Sequence, residues 1–385
     1  MVHPTPSLVI VGSGLAAWTV VREFRKLDKQ SPVTLITRDS GDYYSKPMLS
    51  NALASGKSAA QLVSTPATAM AEQLDVRLLA QTEVAAIDAA AHAVHTSIGP
   101  VSYGRLVLAT GADPVRLPLQ GDAAGQVLSV NDLSDYALFR ERIAGAKRVT
   151  VIGAGLIGCE FANDLVSAGY AVDVIDPGAQ ALGRLLPVVA GERVVTALME
   201  AGVRFHFGTT AHAVHQQDGA LAVTLANGHA LPTDVVLSAV GLRPRTALAQ
   251  AAGVHTARGI VVNRQLQSSQ PDIYAVGDCA EVDGQLLPFV MPLMQAARTL
   301  AAHLAGQDVR LRYPAMPVVV KTPAIAVVVA PPSAGAAGEW LVAAEPDGVT
   351  ARFVSTDGAL LGFALVGTAT SQKAALQKAL PNVLE

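Results

Sequence analysis

Cysteine is almost missing from this chain of 385 residues: Cys159 and Cys279 are the only two, far apart, with no C-x-x-C or C-x-x-x-x-C spacing. That spacing excludes a disulfide framework and a metal site built on cysteine, and no metal is expected. Charge is also scarce, at 15% of residues against 51% hydrophobic, and the net charge of −3 gives neither sign a lead. Such a balance excludes a protein that coats nucleic acid through a generally basic surface. It suits a compact protein with largely buried parallel sheet. Long membrane-type runs are lacking too. The longest uncharged stretch, Thr322 to Gly338, is broken by Pro323, Pro331 and Pro332, so no membrane insertion is read from it. The apolar segment near the N-terminus has no basic region before it and is accounted for as a first strand, which makes the cytoplasm the expected location.

What the chain does have is one signature written twice. Val9-Ile10-Val11-Gly12-Ser13-Gly14-Leu15-Ala16-Ala17 stands near the start, and Val149-Thr150-Val151-Ile152-Gly153-Ala154-Gly155-Leu156-Ile157-Gly158 in the middle. Each copy follows a β-branched apolar run and precedes a helix-like stretch, the context in which these glycines have work to do. The first makes a tight turn, the second lets backbone approach a pyrophosphate, and the third position, taken by Ala17 in the first copy, allows close helix packing. The helix behind each turn aims its N-terminal amides at phosphate. Such folds place an acid after the second strand to bind a ribose hydroxyl. In the second copy Asp176 stands there, disfavouring a 2′-phosphate and favouring NADH over NADPH, although Arg184 follows nearby. In the first copy the spot is Thr37, with Arg38 and Asp39 behind it, so the ribose contact falls to Thr37 or Asp39.

At this length two or three domains with their own cores are expected. Strand, turn, helix (Leu15 to Lys26) and strand (Val33 to Ile36) open the first unit. A further strand, Leu106 to Ala109, ends in Thr110-Gly111-Ala112-Asp113-Pro114. The second unit repeats the pattern with a helix from Leu156 to Ala168, strands Ala171 to Ile175 and Val235 to Val240, and a stop at Gly241-Leu242-Arg243-Pro244. Strand Ile273 to Val276 ends in Gly277-Asp278, and Pro292 suits the first turn of a helix running toward His303. The last part reads differently. Alternating runs at Val318 to Val320, Ala326 to Val329, Trp340 to Ala344 and Ala351 to Val354 predict antiparallel strands, followed by a helix from Ser371 to Leu380. The fold class is therefore α/β, two Rossmann-like dinucleotide-binding domains with a small α+β C-terminal domain. The boundaries are 1–114 and 245–314 for the first domain, 115–244 for the second inserted in it, and 315–385 for the third.

The two folds, joined through Ala109-Thr110-Gly111 and Gly277-Asp278, resemble the pyridine nucleotide-disulfide oxidoreductase superfamily. The resemblance implies FAD in the first fold and NAD(H) in the second. It assigns FAD to Gly12, Ser13, Gly14, Leu15, Ala16, Ala17, Thr37, Asp39, Val84, Ala109, Thr110, Gly111 and Gly277. Asp278 would bond the flavin side chain, and the helix start at Val290 would point amides at the flavin pyrimidine. For NAD(H) it names Gly153, Gly155, Leu156, Ile157, Gly158, Asp176 and Gly241. The family's disulfide-reducing members need a cysteine pair where this chain reads Tyr43-Tyr44-Ser45-Lys46-Pro47-Met48-Leu49-Ser50, and a C-terminal histidine where none follows His303. The segment Lys46 to Ser50 is instead similar to the branch that passes electrons to small iron proteins. Gly155 to Leu165, Ala239 to Thr246 and Lys321-Thr322-Pro323-Ala324 resemble its rubredoxin-reducing members.

That likeness implies an FAD enzyme that takes hydride from NADH and passes single electrons to rubredoxin, with a monomer expected. Glu160, placed on the first turn of the second helix, would lie near nicotinamide and flavin. Asn51 stands where ferredoxin reductases carry a lysine, so Lys46 or Lys321 becomes the partner for Glu160, and both, with Pro47, are expected beside the flavin. The two cysteines are read as packed residues, and His92, His95, His206, His212 and His215 as surface. Lys373 and Lys378 are candidates for a docking face. The alternatives are an NADH:flavorubredoxin reductase, a ferredoxin reductase of an oxygenase system, an NADH oxidase and an NADH-binding redox sensor.

Overall fold

A computed structural model describes residues 7–385; the expected lack of a basic leader concerns residues 1–6 and lies outside the described residues. The first parallel sheet has five strands in the order Ile273–Ala275, Arg105–Leu108, Leu8–Val11, Val33–Ile36, Val76–Leu79. Its central strands are apolar on both faces, as expected where helices cover each side: Leu8, Val9, Ile10, Leu106, Val107 and Leu108 are all buried. On one face the helix Leu15–Leu27 packs against Val290–Leu304. The second sheet, also parallel, runs Val203–Phe207, Ala171–Asp176, Arg148–Ile152, Val235–Ser238.

A two-stranded antiparallel ribbon, Ala112–Pro114 with Leu242–Pro244, ties the exit from the first fold to the exit from the second. Each fold also carries a three-stranded antiparallel sheet, 84–102 in the first and 211–233 in the second. Among the described residues no helix is long and apolar enough to cross a membrane.

The C-terminal sheet has the order Val318–Val320, Val327–Ala330, Leu360–Gly367, Gly348–Val354, Glu339–Glu345, all antiparallel. Its middle strand, Leu360–Gly367, was not among the expected ones. It reads as an unbroken apolar run because sheet neighbours and both covering layers bury it, and alternation is the wrong signal for such a strand. The expected helix from Ser371 to Leu380 is shorter: a 3-10 turn at Thr368–Gln372 precedes an α-helix at Lys373–Ala379. One face of the sheet shares a core with the second fold through Val327, Val329, Val349, Ala351, Ala364 and Val366.

Candidate functional site

Both glycine loops adopt the same turn. Gly12 has φ +112° and Gly153 φ +108°, a region that favours glycine. A Cβ on Gly12 would lie 2.2 Å from the Ala109 carbonyl oxygen, and one on Gly153 would lie 2.7 Å from that of Ala239. Each first glycine thus lets its turn press against the strand that ends in Thr110-Gly111 or Val240-Gly241. The second glycines, Gly14 and Gly155, are open: a Cβ there would meet nothing within 4 Å. They also stand as the N-caps of the helices Leu15–Leu27 and Leu156–Ser167, with no side chain spent on the cap. Open backbone, free amides and a positive helix end in one spot fit a pyrophosphate in both folds.

Around the first loop, Asp39 Oδ1 accepts from Ser13 Oγ (2.8 Å), Thr37 Oγ1 (2.7 Å) and the Gly41 amide (2.9 Å). Oδ2 makes no hydrogen bond among the described residues and is open to a further donor. Val84 begins a strand two residues after Thr82, whose amide donates to the Thr37 carbonyl at 2.8 Å, and so borders this corner. Gly277 touches the same loop, since a Cβ on it would stand 2.9 Å from that of Ala16. In the second fold Asp176 crosses the loop itself, with Oδ2 accepting from the Ala154 amide at 2.7 Å and Oδ1 from the Gly178 amide at 2.7 Å. Arg184 is exposed and joins no ion pair among the described residues.

At the other end, Lys46 Nζ lies 3.7 Å from Asp278 Oδ2. Burial pushes the Lys46 ammonium below its usual pKa while Asp278 opposes that shift. The helix Val290–Leu304 starts at the expected residue, offering the Val290 and Met291 amides before Pro292, which has none.

Glu160 is the most constrained acid of the site. Its N-cap is Gly155, so it falls in the second turn of its helix rather than the first, and its side chain is fully enclosed. Oε2 accepts from Ser50 Oγ at 2.6 Å and from Lys321 Nζ at 2.5 Å, while Oε1 accepts from the Lys321 amide at 2.9 Å. Lys321 Nζ further donates to the Pro47 carbonyl (2.6 Å) and to Ser50 Oγ (2.8 Å). Of the two candidate partners, Lys321 takes Glu160 and Lys46 turns to Asp278. A buried carboxylate needs such charge-assisted bonds, and here they join the first fold, the second fold and the C-terminal domain.

Two residues on the same helix escaped sequence reasoning. Asn163 Oδ1 accepts from the Ala324 amide at 3.0 Å, and Asp164 takes the Leu53 and Ala54 amides at 2.8 and 3.0 Å. The available signal was three polar residues at i, i+3 and i+4 in a helix with no other charged or amide side chain, which puts them on one face. Arg245 was missed as well: it donates to Asp113 Oδ1 and the Thr110 carbonyl, bracing the ribbon beside Gly111. Cys159 and Cys279 are fully buried, and burial pushes the Cys159 thiol up to about 12, which leaves it inert as a thiolate. His206 is no plain surface residue, since its Nε2 lies 2.9 Å from Asp173 Oδ1.

A family model described as pyridine nucleotide-disulphide oxidoreductase matches residues 6–302. The chain belongs to that family. Members use FAD and NAD(H), which the two open loops fit. A second model, a rubredoxin binding C-terminal domain, matches residues 310–380. The chain is 50% identical to a rubredoxin-NAD(+) reductase of Alcanivorax borkumensis, covering 99% of this chain and 100% of the relative. It is 45% identical to a rubredoxin-NAD(+) reductase of Acinetobacter baylyi, over 99% of each chain. Among solved structures, a covalent putidaredoxin reductase-putidaredoxin complex matches with a TM-score of 0.88 at 29% identity, covering 98% of this chain and 94% of that one.

Proposed function

We propose that this family member is an NADH-dependent FAD enzyme that reduces rubredoxin. FAD, when bound, turns a two-electron hydride donor into a source of single electrons that an iron protein can accept. The observation that carries the reading is the enclosed Ser50, Glu160 and Lys321 cluster. It ties the helix behind the second glycine loop to the segment at the flavin end of the first fold and to the opening turn of the C-terminal domain.

On this reading the first loop and Thr37, Asp39 and Val84 hold the adenosine half of FAD, with Ala109, Thr110 and Gly111 lining the same strand ends. Asp278 bonds the flavin side chain, Lys46 and Pro47 flank the ring, and the Val290 end of its helix faces the pyrimidine and favours negative charge there. Gly153 to Gly158 and Gly241 seat NADH, and Asp176 accepts from its ribose. Glu160 orients the nicotinamide while Lys321, through its Nζ and its amide, holds that carboxylate in place. A location in the cytoplasm and a monomeric state belong to the same proposal, as do the domain boundaries at 114, 244 and 314.

The test is anaerobic stopped-flow. Protein reduced with one equivalent of NADH is mixed separately with oxidised rubredoxin and with a plant-type ferredoxin. Fast bleaching of rubredoxin alone is expected. A flavin that reduces normally but passes electrons to neither sinks the rubredoxin assignment.

A further inference from the structure

Resting on that reading, one residue outside the reacting groups has a job of its own. The segment Lys46–Ser50 is a five-residue 3-10 helix, too short to hold its own place. It carries Lys46, the Pro47 carbonyl that Lys321 uses, and Ser50, which donates to Glu160. Just beyond it the Leu53 and Ala54 amides both end on the carboxylate of Asp164, which is 6% exposed. Asp164 lies one turn after Glu160 on the rigid helix behind the second glycine loop. These two bonds to a buried carboxylate tether the chain three and four residues past Ser50, in addition to the Lys46–Asp278 pair at the segment's start.

We propose that Asp164 is a positioning residue for hydride transfer. By anchoring Leu53 and Ala54 it sets where the Lys46 to Ser50 segment stands against Glu160, and so fixes the distance between the nicotinamide's fold and the flavin's flank. Asp164 touches neither cofactor. Its effect travels through Ser50.

The experiment uses the FAD-loaded enzyme and Asp164→Asn and Asp164→Glu variants. The amide keeps the shape but faces one backbone N–H with a second donor; the glutamate keeps the charge but displaces it by one methylene. Flavin reduction at saturating NADH is followed by anaerobic stopped-flow, NADH affinity by its concentration dependence, and the bound flavin's surroundings by visible circular dichroism. Both variants are expected to lower the limiting rate by about tenfold, since small displacements are costly in hydride transfer. Both should also alter the flavin dichroism while NADH affinity holds. Adding Ser50→Ala to either should cost much less than it does in the parent.

A normal limiting rate and unchanged dichroism in either variant, even one that melts earlier, overturn the proposal, as does a fully multiplicative Ser50→Ala effect. Should one variant fail to fold, the other decides. If NADH leaves the parent flavin oxidised, the functional reading fails instead, and that outcome is seen before any variant is made.

Discussion

The two glycine loops share a turn and differ in what the helices behind them bury. Behind the first, the helix Leu15–Leu27 buries Ala16, Ala17, Trp18, Val20, Val21 and Phe24 in the core of its own fold, and its two buried polar residues, Thr19 and Arg25, bond to Met294 and to the Ser31, Leu74 and Asp75 carbonyls of that same fold. Behind the second, the helix buries Glu160, Asn163 and Asp164, which between them reach Ser50, Leu53 and Ala54 of the first fold and Lys321 and Ala324 of the C-terminal domain. The third positions differ in the same sense. Ala17 is tolerated with its methyl fully buried, whereas a Cβ on Gly158 would stand 1.9 Å from the Gly153 carbonyl oxygen. The first helix has room for a methyl against its loop, and the second is drawn in tight. A loop that only seats a cofactor can rest on its own domain. One that must deliver a nicotinamide to another domain's cofactor is held from outside as well.

The largest effect should come from erasing the difference at the third position. Gly158→Ala forces the second helix off its loop against backbone atoms, and overpacking of this kind costs about 1–3 kcal/mol. Taken out of binding, that weakens NADH affinity about 5- to 150-fold. FAD content, read from visible absorbance, should stay at the parental level. Loss of flavin instead would mean that the two loops are not independent.

Next come the acids. Asp176→Ala removes a carboxylate that braces the Ala154 and Gly178 amides at the ribose corner. A hydrogen bond to a charged group contributes about 1.5–3 kcal/mol, so NADH binding should weaken about tenfold or more. The preference over NADPH should shrink with it, because the charge that repels a 2′-phosphate is gone. Fluorescence titration with both nucleotides reads this out, and an unchanged ratio would remove Asp176 from cofactor choice. Asp39→Ala should act less strongly because Asp39 is exposed. Its three donors are the Ser13 and Thr37 hydroxyls and the Gly41 amide, and the exposed corner lets water replace part of what they lose. FAD affinity, measured by reconstitution of apoprotein, should fall by about fivefold. An unchanged affinity would hand the ribose to Thr37 alone.

This contrast was only half legible in the sequence. The glycine turns, their strands and Asp176 could be read because β-branched runs beside glycine admit few other folds. Glu160 was singled out by the family resemblance alone, and it stands one turn further along its helix than expected. The choice of Lys321 over Lys46 was not legible, since it depends on a contact across the interface between folds that no local pattern encodes. Asn163 and Asp164 could not be told from the polar side of an ordinary helix, because only the packing shows that the helix is buried on every side from Gly158 to Leu165. Asp39 lay between two readings because Ser13, Thr37 and Asp39 form one hydrogen-bonded group rather than competing for one role. The strands between Val84 and Ser102 escaped because they are short and joined by turns such as that at His92, whose φ of +49° no apolar pattern announces.

The smallest expected effect restores symmetry from the other side. Ala17→Gly gives the first loop the third glycine of the second. No neighbour needs that space, so the change only removes a buried methyl and loosens the helix at its first turn. Glycine costs about 1 kcal/mol relative to alanine inside a helix. A stability loss of that order, seen as a melting shift of about 2–4 °C, should appear with FAD affinity and NADH-driven flavin reduction unaltered. If Ala17→Gly instead changes FAD affinity as much as Asp39→Ala does, then the methyl is seating the pyrophosphate. The first loop would in that case be as finely fitted to its cofactor as the second is to NADH, and the difference between them would lie in the acids and the buried polar face alone.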